Sequence, residues 1–325
     1  MNFIADDREL NLKTRVAWLY HMEGLTQEAI AEKLEISRAR VLKILAQCRQ
    51  DGTVQIRVTS RLSSCVALER RLEERFGISQ ACVIPTPNDE EQLPNLIGMM
   101  TGAYLSDALR DGMTIGLGWG RTLQASINAI APRPLRGLTV VSLLGALTRA
   151  SGLNPSEFAW RFADLFGAES YMLSAPVFAP DERIKKALFQ HSGIEEVLIR
   201  ARHLDMAIVG AGDFSPSATI QRYGLLNKSE IDDLQQRGAV GDVLCHFIDR
   251  KGELVDHPVN SRVMAVHPLE LRRAPKLVLA SGGWRKVTCI LAAIRLLHPT
   301  VFITDEGAAE GILARADEVP EWLKA

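Results

Sequence analysis

Cysteine is scarce in this chain. Five occur in 325 residues, Cys48, Cys65, Cys82, Cys245 and Cys289, with no CxxC spacing and mostly inside apolar runs. A disulfide framework is thereby excluded, and reduced, buried thiols are expected. The seven histidines form no HExxH or paired cluster, so no metal or other cofactor is expected. No apolar run approaches the ~20 residues of a membrane span, and the opening MNFIADDREL lacks the basic-then-apolar order of a signal sequence. A cytoplasmic protein without a membrane partner is the expectation. Internal repeats and low-complexity segments are absent. Neither charge sign dominates, the net being −1, and mean hydropathy is near zero. The length allows one small domain plus one large one.

Against that even background, Leu25 to Val58 is distinctive. Leu25, Ile30, Leu34 and Ile36 give one short helix a buried face, and Val41, Leu42 and Leu45 recur at the 3.6-residue period of a second. Thr26 and Ser37 stand where a hydroxyl caps each helix. The connection Glu35-Ile36-Ser37 is short, Ala31 permits close crossing, and Ile36 fills the gap beneath. A preceding helix, Leu12 to Met22, turns Val16, Leu19 and Tyr20 inward. Asp51-Gly52-Thr53 followed by Val54, Ile56 and Val58 reads as a turn and a half-buried strand, the wing of a winged helix-turn-helix. From Ser37 to Arg61 six basic residues, Arg38, Arg40, Lys43, Arg49, Arg57 and Arg61, face the single acid Asp51. Such a face suits phosphates and major-groove base edges. Double-stranded operator DNA is the expected partner, with Ser37, Arg38, Arg40 and Lys43 reading bases, Gln27 at a phosphate and its neighbour Thr26 counted in the same DNA-binding set.

A boundary falls between Thr59 and Cys65, so residues 1–60 form the head, 61–80 a linker helix built on Leu68, Leu72 and Phe76, and 81–325 the body. There, Val-, Ile- and Leu-rich strands alternate with helices. That alternation predicts an α/β fold whose parallel sheet is covered on both faces. Ligands of such sheets bind at the carboxyl ends of strands. MTIGLGWGRTL, Met113 to Leu123, carries Gly116, Gly118 and Gly120 into a helix opened by Arg121 and Thr122, a turn suited to an anion or to packing alone. LVLASGGWRK places Gly282 and Gly283 before Lys286. Asp242, read at a third strand end, can accept from a polyol. Asp305 or Glu306, ending VFITDE, is expected to cap the next helix, and MAIVGAGDF puts Gly210 and Gly212 at another strand tip.

The order TQEAIAEKLEISRARV, DGTVQIRV, IGLGWGRTL, VVSLLGAL, AIVGAGDF, GAVGDVLCHFID, LVLASGGWRK and VFITDEGAAEGIL resembles the SorC family of bacterial transcriptional regulators, also grouped with DeoR-type repressors, over nearly the whole chain. The resemblance implies a doubly wound parallel-sheet body related to phosphosugar isomerases and deaminases, a phosphorylated sugar or sugar alcohol as effector, and a homodimer or homotetramer. It places Gly118, Trp119, Gly120, Arg121, Thr122 and Lys286 at the phosphate and Asp242 at hydroxyls. Gly145, Ala146 and Leu147 would line the same pocket, Ala146 standing where relatives often carry a second glycine. LLHP, Leu296 to Pro299, replaces a more glycine-rich turn. Some members hold their ligand as a lysine imine, but no lysine lies between Lys43 and Lys185, and an imine from the central pocket region is not expected. The alternative is an active phosphosugar isomerase or deaminase with a DNA-binding head. Deaminase relatives carry a histidine after the glycine matching Gly212, where this chain has Asp213 and Phe214.

Overall fold

A computed structural model describes residues 3–21, 23–50, 53–54, 62–148 and 154–316. The chain divides into two compact units, Met1–Ser60 and Arg61–Ala325.

The head is built from α1 (Phe3–His21), α2 (Gln27–Lys33) and α3 (Arg38–Gln50). Val16, Leu19, Ile30, Val41, Ile44, Leu45 and Cys48 are its buried core. Both caps form. Thr26 Oγ1 accepts the Ala29 N–H at 3.2 Å and Ser37 Oγ accepts the Arg40 N–H at 3.2 Å. The turn between them passes through Glu35 at φ 54°, and the Ile36 N–H returns to the Ala31 carbonyl. Two inward assignments are corrected: Tyr20 is 37% and Leu42 47% exposed. The α3 stripe is Val41, Ile44, Leu45 and Cys48, spaced at three, four and seven. Leu42 is turned away by the ~100° each residue adds. The wing expected over Gln55 to Val58, with Arg57 and Arg61, lies outside the described residues.

Seven parallel strands form the body's sheet, in chain order β1 (Gln80–Ile84), β2 (Thr114–Leu117), β3 (Thr139–Ser142), β4 (Glu169–Tyr171), β5 (Met206–Val209), and then β8 (Lys276–Ala280) and β9 (Val301–Asp305). Their spatial order is β1-β9-β8-β5-β2-β3-β4. From β2 the chain winds outward one way through β3 and β4, and from β5 the other way. A topological switch point therefore lies between β2 and β5, where the crevice of a doubly wound sheet opens. Period-2 alternation divides the strands between two cores. Leu277 and Leu279 join one with Ile290 and Ile312; Val278 and Ala280 join the other with Ile97, Phe158 and Phe162.

Between β5 and β8 the chain builds a lobe around the antiparallel hairpin β6 (Ala239–Val243) and β7 (His246–Asp249). The lobe has its own core of Ile220, Leu226, Leu234, Phe247 and Val259, with Phe214 stacked on Phe247 at 5.7 Å. GAVGDVLCHFID is thus a hairpin rather than a strand of the sheet. Asp242 sits within β6, not at a sheet strand's end, and the expectation is corrected. An antiparallel bridge, Gly212 to Asp242, ties the hairpin to the β5 exit.

Helix α4 (Leu62–Phe76) belongs to the body, with Leu68 and Leu72 in its core. It also closes one sheet edge: Glu69 and Glu73, one helical turn apart, accept the Val83 and Ala81 N–H groups of β1 at 2.8 and 2.9 Å. Helix α5 (Leu93–Ala108) crosses α6 (Arg121–Ser126) at very short range. A Cβ on Gly98 would lie 2.5 Å from that of Ala125, and one on Gly102 2.2 Å from the Ser126 carbonyl oxygen. No helix among the described residues is long and apolar enough to cross a membrane.

Candidate functional site

In the head, Arg38, Arg40 and Lys43 stand exposed along the first turns of α3. Arg38 lies 3.7 Å from Glu28, a pair between exposed groups that solvent screens. Thr26, Gln27 and Arg38 line an open groove with the exposed Tyr20. The hydroxyls of Thr26 and Ser37 each accept one cap N–H and keep their own O–H as a donor.

In the body, the exits of β2, β5 and β8 meet the lobe around a cavity at the switch point. It encloses about 70 Å³, against ~10–15 Å³ for one ordered water, space for a few hydroxyl-bearing carbons. Trp119, Gly120, Arg121 and Thr122 line it from β2, Gly210 to Asp213 from β5, and Ala280, Ser281 and Lys286 from β8. Ser217, Thr219, Asp242 and Leu244 come from the lobe, and Pro94 from α5.

Glycine is required at several of these turns. Gly120 adopts φ 122° directly before α6. A Cβ on Gly282 would meet Asp305 Oδ1 and Ile97 at 2.4 Å, and Gly283 has φ 100°. Asp305 holds that turn by accepting the Gly283 N–H at 2.7 Å, and it also accepts the Ala308 N–H and the Thr86 hydroxyl. The expected cap is therefore present. Together these bonds aim Lys286 inward, where Nζ donates to the Ala211 carbonyl at 3.2 Å.

Asp242 is 5% exposed. Its Oδ2 accepts the Cys245 N–H at 2.9 Å. Burial pushes its carboxyl up to about 6, with Asp213 adding to the rise and the Cys245 N–H and Lys286 opposing it. Beside it, burial raises the Cys289 thiol to about 12, so it remains an unreactive thiol. Among the described residues no group of three His, Cys, Asp or Glu side chains is placed to hold a metal.

Four expected residues stand apart. Gly118 donates its N–H to Ile208 at 2.8 Å, and a Cβ there would lie 3.2 Å from Leu244 Cδ2. It makes room for the hairpin and offers no free donor. Gly145, Ala146 and Leu147 are absent from the cavity lining. Gly145 and Ala146 donate to Met264 and Ala175 at 2.7 Å, and a Cβ on Gly145 would fall 2.4 Å from the Pro176 carbonyl oxygen. Packing explains that glycine, and the cavity assignment is corrected. Asp213, Ser217, Thr219 and Ser281 were not singled out for this cavity. Asp213, Ser217 and Thr219 lie along the one connection from β5 to the next helix and Ser281 at the β8 exit, without a periodic pattern; the local hints are the neighbouring Gly212 and Gly282.

A helix-turn-helix head joined to a body with a polar cavity at its switch point defines a ligand-responsive transcriptional regulator. The comparisons agree. A family model described as a sugar-binding domain matches residues 60–314. The erythritol catabolism regulatory protein EryD of Brucella abortus is 28% identical over 96% of this chain and 98% of its own length. The regulator LsrR of an Enterobacter species is 30% identical over 95% of this chain and 94% of its own. The full-length sorbitol operon regulator SorC of Klebsiella pneumoniae superposes with a TM-score of 0.72 at 25% identity, covering 94% of this chain and 99% of that one. The chain belongs to the SorC family of transcriptional regulators with a sugar-binding domain.

Proposed function

We propose that the protein controls a carbohydrate or polyol catabolic operon as a cytoplasmic homo-oligomeric regulator, and that a phosphorylated sugar or sugar alcohol in the switch-point cavity sets its operator affinity. The carrying observation is convergence. Trp119, Gly120, Arg121, Thr122, Asp242 and Lys286, chosen from distant segments, line one cavity. Arg121 and Lys286 supply the positive charge a phosphate needs, and Asp242 is an acceptor for hydroxyls. The relative EryD, a regulator of erythritol catabolism, supports the polyol class. An effector shifts the operator equilibrium only by its differential affinity for two arrangements of the protein. Paired heads would match two-fold half-sites.

Catalysis is disfavoured by the cavity's chemistry. Asp213 follows Gly212, and Phe214 is stacked on Phe247, so no imidazole base stands there. The pure protein is expected to leave aldose phosphates unconverted.

The test is a thermal-shift screen against phosphorylated and unphosphorylated C4 to C6 sugars and polyols, followed by operator binding with each hit. Stabilisation by one phosphate ester that also changes DNA affinity is expected, and Lys286→Ala should abolish the response while leaving operator binding intact. Full sensitivity in that variant would remove Lys286 from the site. In the head, Arg40→Ala is expected to weaken specific binding by ~1–3 kcal/mol and relax preference at one base position. An equal loss on every sequence would make Arg40 a phosphate contact.

A further inference from the structure

The β6–β7 hairpin turns on Leu244 and Cys245, with φ 50° and 61°. Two-residue hairpin loops demand this left-handed conformation and usually fill it with Asn-Gly. Two ordinary L residues hold it here, each fastened by a neighbouring side chain. The Cys245 N–H donates to Asp242 Oδ2 at 2.9 Å, and the His246 ring meets the Leu244 carbonyl through Nδ1 at 3.2 Å. Since a carbonyl oxygen only accepts, that bond requires the proton on Nδ1.

The surroundings of His246 keep the ring neutral. It is 2% exposed and packs edge-on against His267, with ring centroids 5.5 Å apart. His267 Nδ1 accepts the Leu269 N–H. Burial, then His267, then Lys185 push the His246 imidazole down to about 3. Thus His246 is a fixed donor, not a switch, in any physiological medium.

What the turn presents is the cavity. Leu244 and Asp242 both line it, whereas His246 does not. We propose that His246 is a positioning residue for the effector site: it holds the Leu244 carbonyl from behind, fixing the turn in which Cys245 binds Asp242 and Leu244 covers Gly118. The inference rests on reading this cavity as the effector site. Its test needs no effector.

The readout is the titration of Asp242 in the full chain, followed by carboxyl ¹³C NMR. Asp242 also faces Lys286, Asp213 and the thiols of Cys245 and Cys289. Lys286, Asp213 and Cys289 lie outside the hairpin turn and are common to every variant compared. In His246→Phe an aromatic ring is kept and the donor lost, so the Cys245 N–H is released and the Asp242 midpoint rises clearly above about 6. In His246→Asn the amide replaces the Nδ1 donor, and the midpoint stays. A ring needed only for packing gives the opposite pattern, harmless as Phe and disruptive as Asn, and that result would overturn the proposal. An unmoved midpoint in His246→Phe overturns it too. If His246→Phe fails to fold, Cys245→Gly is added, because glycine adopts the turn unaided. Recovered folding supports the proposal and continued unfolding refutes it. Failure of this titration leaves the effector screen untouched, and a screen without hits leaves the titration readable.

Discussion

Asp242 lowers the stability of the folded protein at neutral pH. Its carboxyl is raised in the folded state, so its contribution to stability is full below the ordinary carboxyl value near 3.8 and is lost as pH climbs through about 6. At ~1.4 kcal/mol per pH unit, the ionised group costs up to ~3 kcal/mol at pH 7. Asp242→Asn should therefore melt higher than the parent at pH 7 to 8 and alike at pH 4, while binding no polyol. A parent whose melting temperature equals that of the variant at every pH would show an unburied carboxyl. Glu35 is a second costly residue. Its φ of 54° carries a penalty of ~1–2 kcal/mol for an L side chain, partly offset in glycine by the entropy of the unfolded chain. Glu35→Gly is expected to stabilise the head by ~0.5–1 kcal/mol, read from denaturant midpoints. Unchanged or lower midpoints would indicate a side chain that repays its backbone.

Elements meet most closely where α5 crosses α6, and this crossing sets where Arg121 and Thr122 begin. Gly102→Ala would push a methyl into the Ser126 carbonyl, an overpacking that costs ~1–3 kcal/mol. It should also reduce effector binding without touching the cavity. Stability lost with effector affinity intact would uncouple the crossing from the site. Elements also mark what could be read from sequence. Helices α2 and α3 were legible because caps, period and turn all lie within neighbouring residues: Thr26, Ser37, Val41 and Leu45 each declare themselves. The sheet was legible in kind, since strands covered on both faces are rich in Val, Ile and Leu. The β6–β7 hairpin was not. Its turn residues, Leu244 and Cys245, look like core, and apolar continuity cannot distinguish a sheet strand from a hairpin arm. Gly118 and Gly145 misled for a related reason, because a glycine needed for packing is spelled like one needed by a ligand. Asp213, Ser217 and Thr219 acquire a shared role only once β5 and the lobe are folded together.

At the scale of the whole molecule, the division at Ser60 and Arg61 implies that residues 61–325 carry a complete core. That portion is expected to fold alone, with the same effector affinity as the full chain and no operator binding. A loss of effector affinity would assign part of the site to the head. The starting residue matters, because α4 supplies Glu69 and Glu73 to the outer N–H groups of β1. A fragment begun at Ala81 would keep every cavity residue and still have a bare strand along its flank. Bare strands recruit others of their kind. The two glutamates thus act as a selvedge: without them, the fragment should fail in solution by growing edge to edge into fibrils rather than by losing its ligand.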